Sequence, residues 1–173
     1  MIRRLVGRHA KLRVHRRLWR DLVAELGRRG GGSRESGAFL LTPRASDGRT
    51  VTQVAYFDDL DPGCLTGGIT LAGTAFGRLW DLCDQHQVRV AGDVHTHPGG
   101  WVEQSSIDRN NPMVARTGHI ALIIPGLAQR LVRAGQVGVH EYLGDDGWRS
   151  AHAHQCGCRC SPPSLCSWSS IPL

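Results

Sequence analysis

No stretch of the 173-residue sequence approaches the roughly 18 consecutive apolar residues that a membrane-spanning helix requires, so no such helix is expected. The first residues, Met1 to Val14, are basic and lack the apolar run of a signal peptide, which leads us to expect an intracellular, cytoplasmic protein. Of the 21 basic side chains only Lys11 is a lysine; this reads as the bias of a GC-rich genome and carries no mechanism. Cysteine is scarce outside the C-terminal end, where four of the six lie, and Cys64 and Cys83 read as ordinary reduced residues in such a compartment. No helix-turn-helix, zinc-finger or aromatic-interleaved basic pattern is present. The net charge of +6 and pI of about 9.4 therefore do not translate into nucleic-acid binding. Arg3, Arg4, Arg8, Lys11, Arg13, Arg16, Arg17 and Arg20, where the positive charge concentrates, read as a charged helix face and a loose terminus.

What is present is enough for one ordinary domain. Apolar residues make up 40% of the chain, near the globular norm. Val14, Leu18, Leu22, Val23 and Leu26 recur at helical spacing, with Gly27 placed as a stop. Three glycines follow in a short loop, and Ala38 to Leu41 reads as a buried strand that begins just after Glu35. A turn at Ser46-Asp47-Gly48 separates it from a second strand over Val51 to Phe57, which pairs with it as a hairpin. Asp58 to Gly68 has loop composition. Ala72, Ala75, Phe76, Leu79, Leu82 and Cys83 then mark one face of a second helix ending near His86.

Val88 to Thr96 reads as a strand whose alternation puts Val88, Val90 and Val94 on one face and Arg89, Asp93, His95 and His97 on the other. A helical start near Ser105 and strands over His119 to Ile124 and Val137 to Tyr142 complete a mixed α/β pattern, a sheet packed by helices. This domain spans residues 1–150. Residues 151–173, with His152, His154, Cys156, Cys158, Cys160 and Cys166 among Ser and Pro, read as a disordered tail. Its alternate-residue cysteines are spaced more tightly than structural zinc sites usually require.

The chemistry concentrates in two short segments. His95-Thr96-His97-Pro98 places two imidazoles on one face of a strand, about 6.5 to 7 Å apart along the backbone, a span two converging side chains can close on one cation. Six residues after Pro98, Ser105-Ser106-Ile107-Asp108 brings a carboxylate one helical turn after a hydroxyl. A His-His-Asp set fills three positions of tetrahedral zinc and leaves the fourth for water, as catalytic sites require. Each piece alone has a plainer explanation. The histidines could be exposed or hydrogen-bonded, Ser105 and Asp108 could form only a helix capping box, and Glu35 could be a solvated surface charge. His119 and His140 read as structural histidines.

Order and spacing decide between these. Glu35 followed by a small residue, Gly37 and a buried strand, then about 60 residues later His-x-His-Pro, six residues, and Ser-x-x-Asp, resembles the JAMM motif of the JAB1/MPN/Mov34 metallopeptidases at five functional positions. Ile123-Ile124-Pro125-Gly126, Val137 to Gly144 and Gly147-Trp148 look like the bacterial branch of that family, so the resemblance covers the chain from about Glu35 to Trp148. It implies the JAB1/MPN-like mixed sheet with cytidine-deaminase-like layering. It also implies that His95, His97 and Asp108 bind one catalytic Zn2+, that Glu35 is the general base and later acid, and that Ser105 hydrogen-bonds the oxyanion. Family members commonly cut an amide or isopeptide bond at the C-terminus of ubiquitin or a ubiquitin-like protein, and bacterial relatives occur beside E1-like and E2-like enzymes. The resemblance therefore implies a ubiquitin-like protein or its conjugate as substrate. A zinc hydrolase of the same fold acting on a small amide or sulfur-carrier precursor, and a non-catalytic scaffold, are the alternatives it leaves.

Overall fold

The computed structural model describes residues 12–152. Arg3, Arg4, Arg8 and Lys11, and the tail residues from Ala153 onward with their cysteines, lie outside this range. Elements follow in the order β1 (Arg13–Val14), α1 (Arg16–Gly30), β2 (Gly37–Pro43), β3 (Thr50–Val51), β4 (Gln53–Tyr56), α2 (Phe57–Leu60), α3 (Gly73–Gln85), β5 (Val88–Thr96), α4 (Ser106–Asn110), β6 (Ile120–Ile124), β7 (Gly138–Tyr142) and β8 (Trp148–His152). Six strands form one mixed sheet in the order β4-β2-β5-β6-β7-β8, in which only β5 and β6 run parallel. β1 and β3 make a separate two-residue parallel pair. No helix among the described residues is long and apolar enough to cross a membrane.

Helix α1 buries the stripe its periodicity announces, Leu18, Leu22, Val23 and Leu26, against one face of the sheet. It does not stop at Gly27. It runs on to Gly30 and ends at Gly31, whose left-handed φ of 58° lets its N–H reach Arg28 O. Gly27 is a packing position instead: a Cβ there would stand 2.6 Å from the Ala128 carbonyl oxygen. A mid-helix glycine costs about 1 kcal/mol. Each buried leucine on the same face contributes about 1.5–3 kcal/mol, so the helix tolerates it easily.

The expected hairpin is the β2–β4 pair, with Leu40 opposite Val54. The stretch from Val51 to Phe57 is nevertheless divided. Val51 belongs to β3, and Phe57 opens the short helix α2, which takes in Asp58 to Leu60 where loop was expected. Strand β8 also corrects the sequence reading. It pairs with β7 from Trp148 to His152, so backbone order extends two residues into the segment assigned to the tail.

The largest departure lies in β5. Leu40 stands opposite Gly92 and Leu41 opposite Val90, leaving Ala91 as an extra residue in a β-bulge. The bulge reverses which face the following residues present. Val88 and Val90 join the core beneath α3 with Phe39, Leu41, Leu79 and Leu82. Ala91 and Val94 join the core beneath α1. Val94 therefore does not share a face with Val88 and Val90, and Asp93, His95 and His97 do not share one with Arg89. The three polar residues continue along the α3 face, past the end of that helix's apolar contact.

Candidate metal centre

Cross-strand register explains how residues distant in sequence converge. In the antiparallel pair of β2 and β5, Gly37 faces His95, and Thr96 donates its N–H to Ser36 O at 2.9 Å. Continuing the register brings Glu35 level with His97. Because alternate residues share a face, Glu35, Phe39, Asp93, His95 and His97 all project toward one side. Ser36 and Thr96 project to the other, where Thr96 Oγ1 accepts from the Ser36 N–H at 3.0 Å and Ser36 Oγ donates to Leu26 O at 2.8 Å. The residue between the two histidines thus locks the segment beside Glu35 that leads into β2. Gly37 is required at this crossing, since a Cβ would lie 2.3 Å from the Phe57 ring.

After Pro98 the chain leaves the sheet and returns through α4. Ser105 caps that helix: its Oγ accepts from the Asp108 N–H at 3.1 Å, while Asp108 Oδ2 accepts from the Ser105 N–H at 2.8 Å. The capping box is real, and it does not compete with a metal role because it aims the same carboxylate at the histidines. Trp148 anchors the far end of the helix by donating its indole N–H to Arg109 O at 3.0 Å.

The ligand atoms meet closely. His95 Nε2 and His97 Nε2 are 3.1 Å apart, His97 Nε2 is 3.3 Å from Asp108 Oδ2, and His95 Nε2 is 3.6 Å from Asp108 Oδ1. Zinc–ligand bonds of about 2.0–2.1 Å in tetrahedral geometry separate neighbouring ligand atoms by about 3.3 Å. The three spacings bracket that value, so the set fits a cation of this size. Among the described residues it is the one His/Cys/Asp/Glu group close enough to hold a metal ion.

Charge within the centre follows from burial and proximity. Burial alone would lower the His95 pKa, but the Asp108 and Asp93 carboxylates beside it prevail and raise it to about 9. Burial acts to raise the Asp108 pKa, and the two imidazoles outweigh it, holding this carboxyl well below the ordinary range. Both shifts describe a pocket that favours positive charge at the point where the three groups meet. Glu35 behaves differently. Its half-buried carboxyl is pushed up by loss of water, opposed by His97 and His95 and reinforced by Asp108, which places it within electrostatic reach of all three.

His119 and His140 lie outside the ligand set. His119 pairs with Asp93, whereas His140 Nε2–H donates to Val102 O at 2.9 Å and its Nδ1 lies 2.8 Å from Ser150 Oγ. Cys64 and Cys83 are buried free thiols, and burial pushes the Cys64 pKa up to about 11. One residue at the site escaped sequence reading. Trp101 stacks on the His97 ring, centroids 5.5 Å apart at 26°, while remaining 53% exposed. A tryptophan two residues beyond the Pro98-Gly99 turn is the signal that could have drawn attention to it. With exposed Ile107 on α4, it gives the rim of a polar centre two apolar side chains.

Fold and cluster together define a mixed α/β protein carrying a His-His-Asp set able to hold a metal ion. No family model matches the chain. Among solved structures it is similar to a protein from Desulfitobacterium hafniense, with a TM-score of 0.57 and 19% identity over 82% of this chain and 90% of that one. It is also similar to a protein from Salinibacter ruber, with a TM-score of 0.50 and 17% identity over 92% and 100% of the two chains. The fold is shared with both. A JAB1/MPN domain protein from Archaeoglobus fulgidus aligns over 83% of this chain and 90% of its own, at a TM-score of 0.38 and 12% identity, too distant to carry an argument.

Proposed function

We propose that the protein is a zinc-dependent peptidase or isopeptidase that cleaves the amide bond after the C-terminus of a ubiquitin-like protein. The observation that supports this reading most directly is the convergence of His95, His97 and Asp108 at zinc-compatible spacing, with Glu35, just before β2, within electrostatic reach of all three. The order of these residues resembles the JAMM motif at all five positions, which is why a peptidase is preferred to a scaffold. Zinc held there would polarise the scissile carbonyl and lower the pKa of water from 15.7 toward about 7. Glu35 takes the water's proton and returns it to the leaving amine. The Ser105 hydroxyl, whose oxygen already accepts from the helix, keeps its own hydrogen for the oxyanion.

The substrate assignment rests on the same resemblance, and E1-like or E2-like enzymes of one conjugation system are the partners it brings with it. The apolar rim of Trp101 and Ile107 is compatible with a peptide substrate laid across the centre. A panel of ubiquitin-like fusions, each bearing a cleavable C-terminal extension, tests the reading when assayed alongside small-molecule amides and zinc content. Cleavage of a fusion by the zinc-loaded chain, abolished together with zinc binding in His97→Ala, is the expected result. Hydrolysis confined to a small amide would overturn the substrate class, and stoichiometric zinc in His97→Ala would overturn the ligand set.

A further inference from the structure

His95 has two ring nitrogens, and only Nε2 turns toward the ligand set. Nδ1 faces the other way, 3.8 Å from Asp93 Oδ2. The second oxygen of that carboxylate, Oδ1, accepts from His119 Nε2–H at 2.6 Å. Asp93 is 1% exposed and His119 is fully buried. A carboxylate so placed costs several kcal/mol unless it is well paired, and packing gives no reason for it, since its cross-strand neighbours are Phe39 and Ala121.

Asp93 Oδ2, which can only accept, and His95 Nδ1 are both buried and lack hydrogen-bond partners. Once Nε2 binds a cation, the ring proton must reside on Nδ1, making it a donor. Each atom is then what the other lacks, and the alternation of β5 beyond the bulge at Ala91 sets both side chains on the same face. Metal-ligating histidines commonly donate their second nitrogen to such a carboxylate, which fixes the ring and raises its basicity.

We propose that Asp93, held in place by His119, is a positioning residue that orients His95 for the metal, so that metal affinity depends on two buried side chains that never touch the ion. The inference rests on the zinc-site reading above. It concerns ion retention and ring orientation, and its test reads both without any substrate.

Zinc affinity is measured on the full chain by competition with a chromophoric chelator, for the wild type, Asp93→Asn, His119→Gln and His119→Leu. Melting temperatures of the metal-free proteins and the cobalt(II) absorption spectra accompany each affinity. His95→Ala defines which zinc belongs to this centre. Asp93→Asn keeps the shape but loses the charge and is expected to weaken zinc binding about 10- to 100-fold with an altered cobalt spectrum. His119→Gln retains a donor to Asp93 and should restore near-native affinity, whereas His119→Leu should weaken it.

Unchanged zinc affinity and cobalt spectrum in Asp93→Asn would overturn the proposal, as would a lower melting temperature of the metal-free protein with affinity intact. If Asp93→Asn does not fold, the His119 pair decides, and equal affinity in Gln and Leu variants is the adverse result. Zinc retained in His95→Ala would instead remove the zinc-site reading itself, an outcome distinct from failure of Asp93 alone.

Discussion

Two charged clusters on this molecule solve the same electrostatic problem in opposite ways. Around α1 and α2, Arg29 holds three carboxylates: its guanidinium lies 2.7 Å from Glu25, 2.7 Å from Asp58 and 2.7 Å from Asp59, and it rests 4.0 Å from the centre of the Tyr56 ring. The protein itself supplies the cation there. At the end of β5, two imidazole nitrogens 3.1 Å apart and a carboxylate face one another, and among the described residues no arginine pairs with Asp108. Three acids around a guanidinium are a structural device, complete as folded. Two imidazoles and one acid around a common point call for a proton or a metal ion. Counting acidic residues would have favoured the first cluster as a metal site; asking what already neutralises them favours the second.

The sharpest way to break this comparison is to remove groups from the β5 cluster that should matter to chemistry but not to the ion. Glu35→Gln is expected to retain stoichiometric zinc while turnover on a cleavable ubiquitin-like fusion falls about 10²- to 10⁴-fold. Full activity would remove Glu35 from proton transfer. Ser105→Ala should slow turnover about 10²- to 10³-fold by deleting one oxyanion donor. It also deletes half of the capping box, so its melting temperature must be read beside the rate. A rate loss no larger than the drop in folded fraction would return Ser105 to a purely structural role.

The opposite perturbation addresses the other cluster. Arg29→Met leaves Glu25, Asp58 and Asp59 without their shared cation in a half-buried setting and is expected to cost about 1–3 kcal/mol of stability, less than a fully buried pair because solvent screens the carboxylates. Chemical denaturation measures the loss. Zinc stoichiometry should not change, and loss of zinc in this variant would mean the two clusters are not independent.

Much of this arrangement could be read from residues alone, and what escaped has identifiable causes. The apolar stripe of α1 and the β-branched run of β5 announced a helix and a strand, and the spacing of His95, His97, Ser105 and Asp108 announced their convergence. The bulge at Ala91 was hidden because Val88-Arg89-Val90 and Val94-His95 alternate as if the strand were unbroken. Gly92 was the available clue, since an isolated glycine within a strand often marks a bulge. Gly27 misled in the reverse direction. A glycine near a helix end can stop the helix or admit a neighbouring backbone, and only the position of Ala128 distinguishes them. Asp93 and His119 were invisible as a pair because a hydrogen bond from a residue of β5 to one just before the parallel strand β6 leaves no spacing signature.

The smallest expected effect concerns pH, and it sharpens what an internal cation accomplishes. The Glu25 carboxyl is held below its ordinary value of 4.5, first by its hydrogen bond to Arg28 and then by Arg29, against the opposing effect of burial. A group whose pKa is lower in the folded protein than in the unfolded chain binds fewer protons when folded, so stability rises with pH across that interval. The contribution is complete above about pH 4.5 and disappears as pH falls through the folded-state value. Arg28→Ala should therefore flatten the dependence of unfolding free energy on pH just below 4.5 and lower stability near neutrality by the same amount, which is small because the Arg28–Glu25 pair is solvent-exposed on its Arg28 side. An unaltered pH slope would mean that Arg29 alone sets the Glu25 charge, placing the whole of that cluster's electrostatics on a single guanidinium.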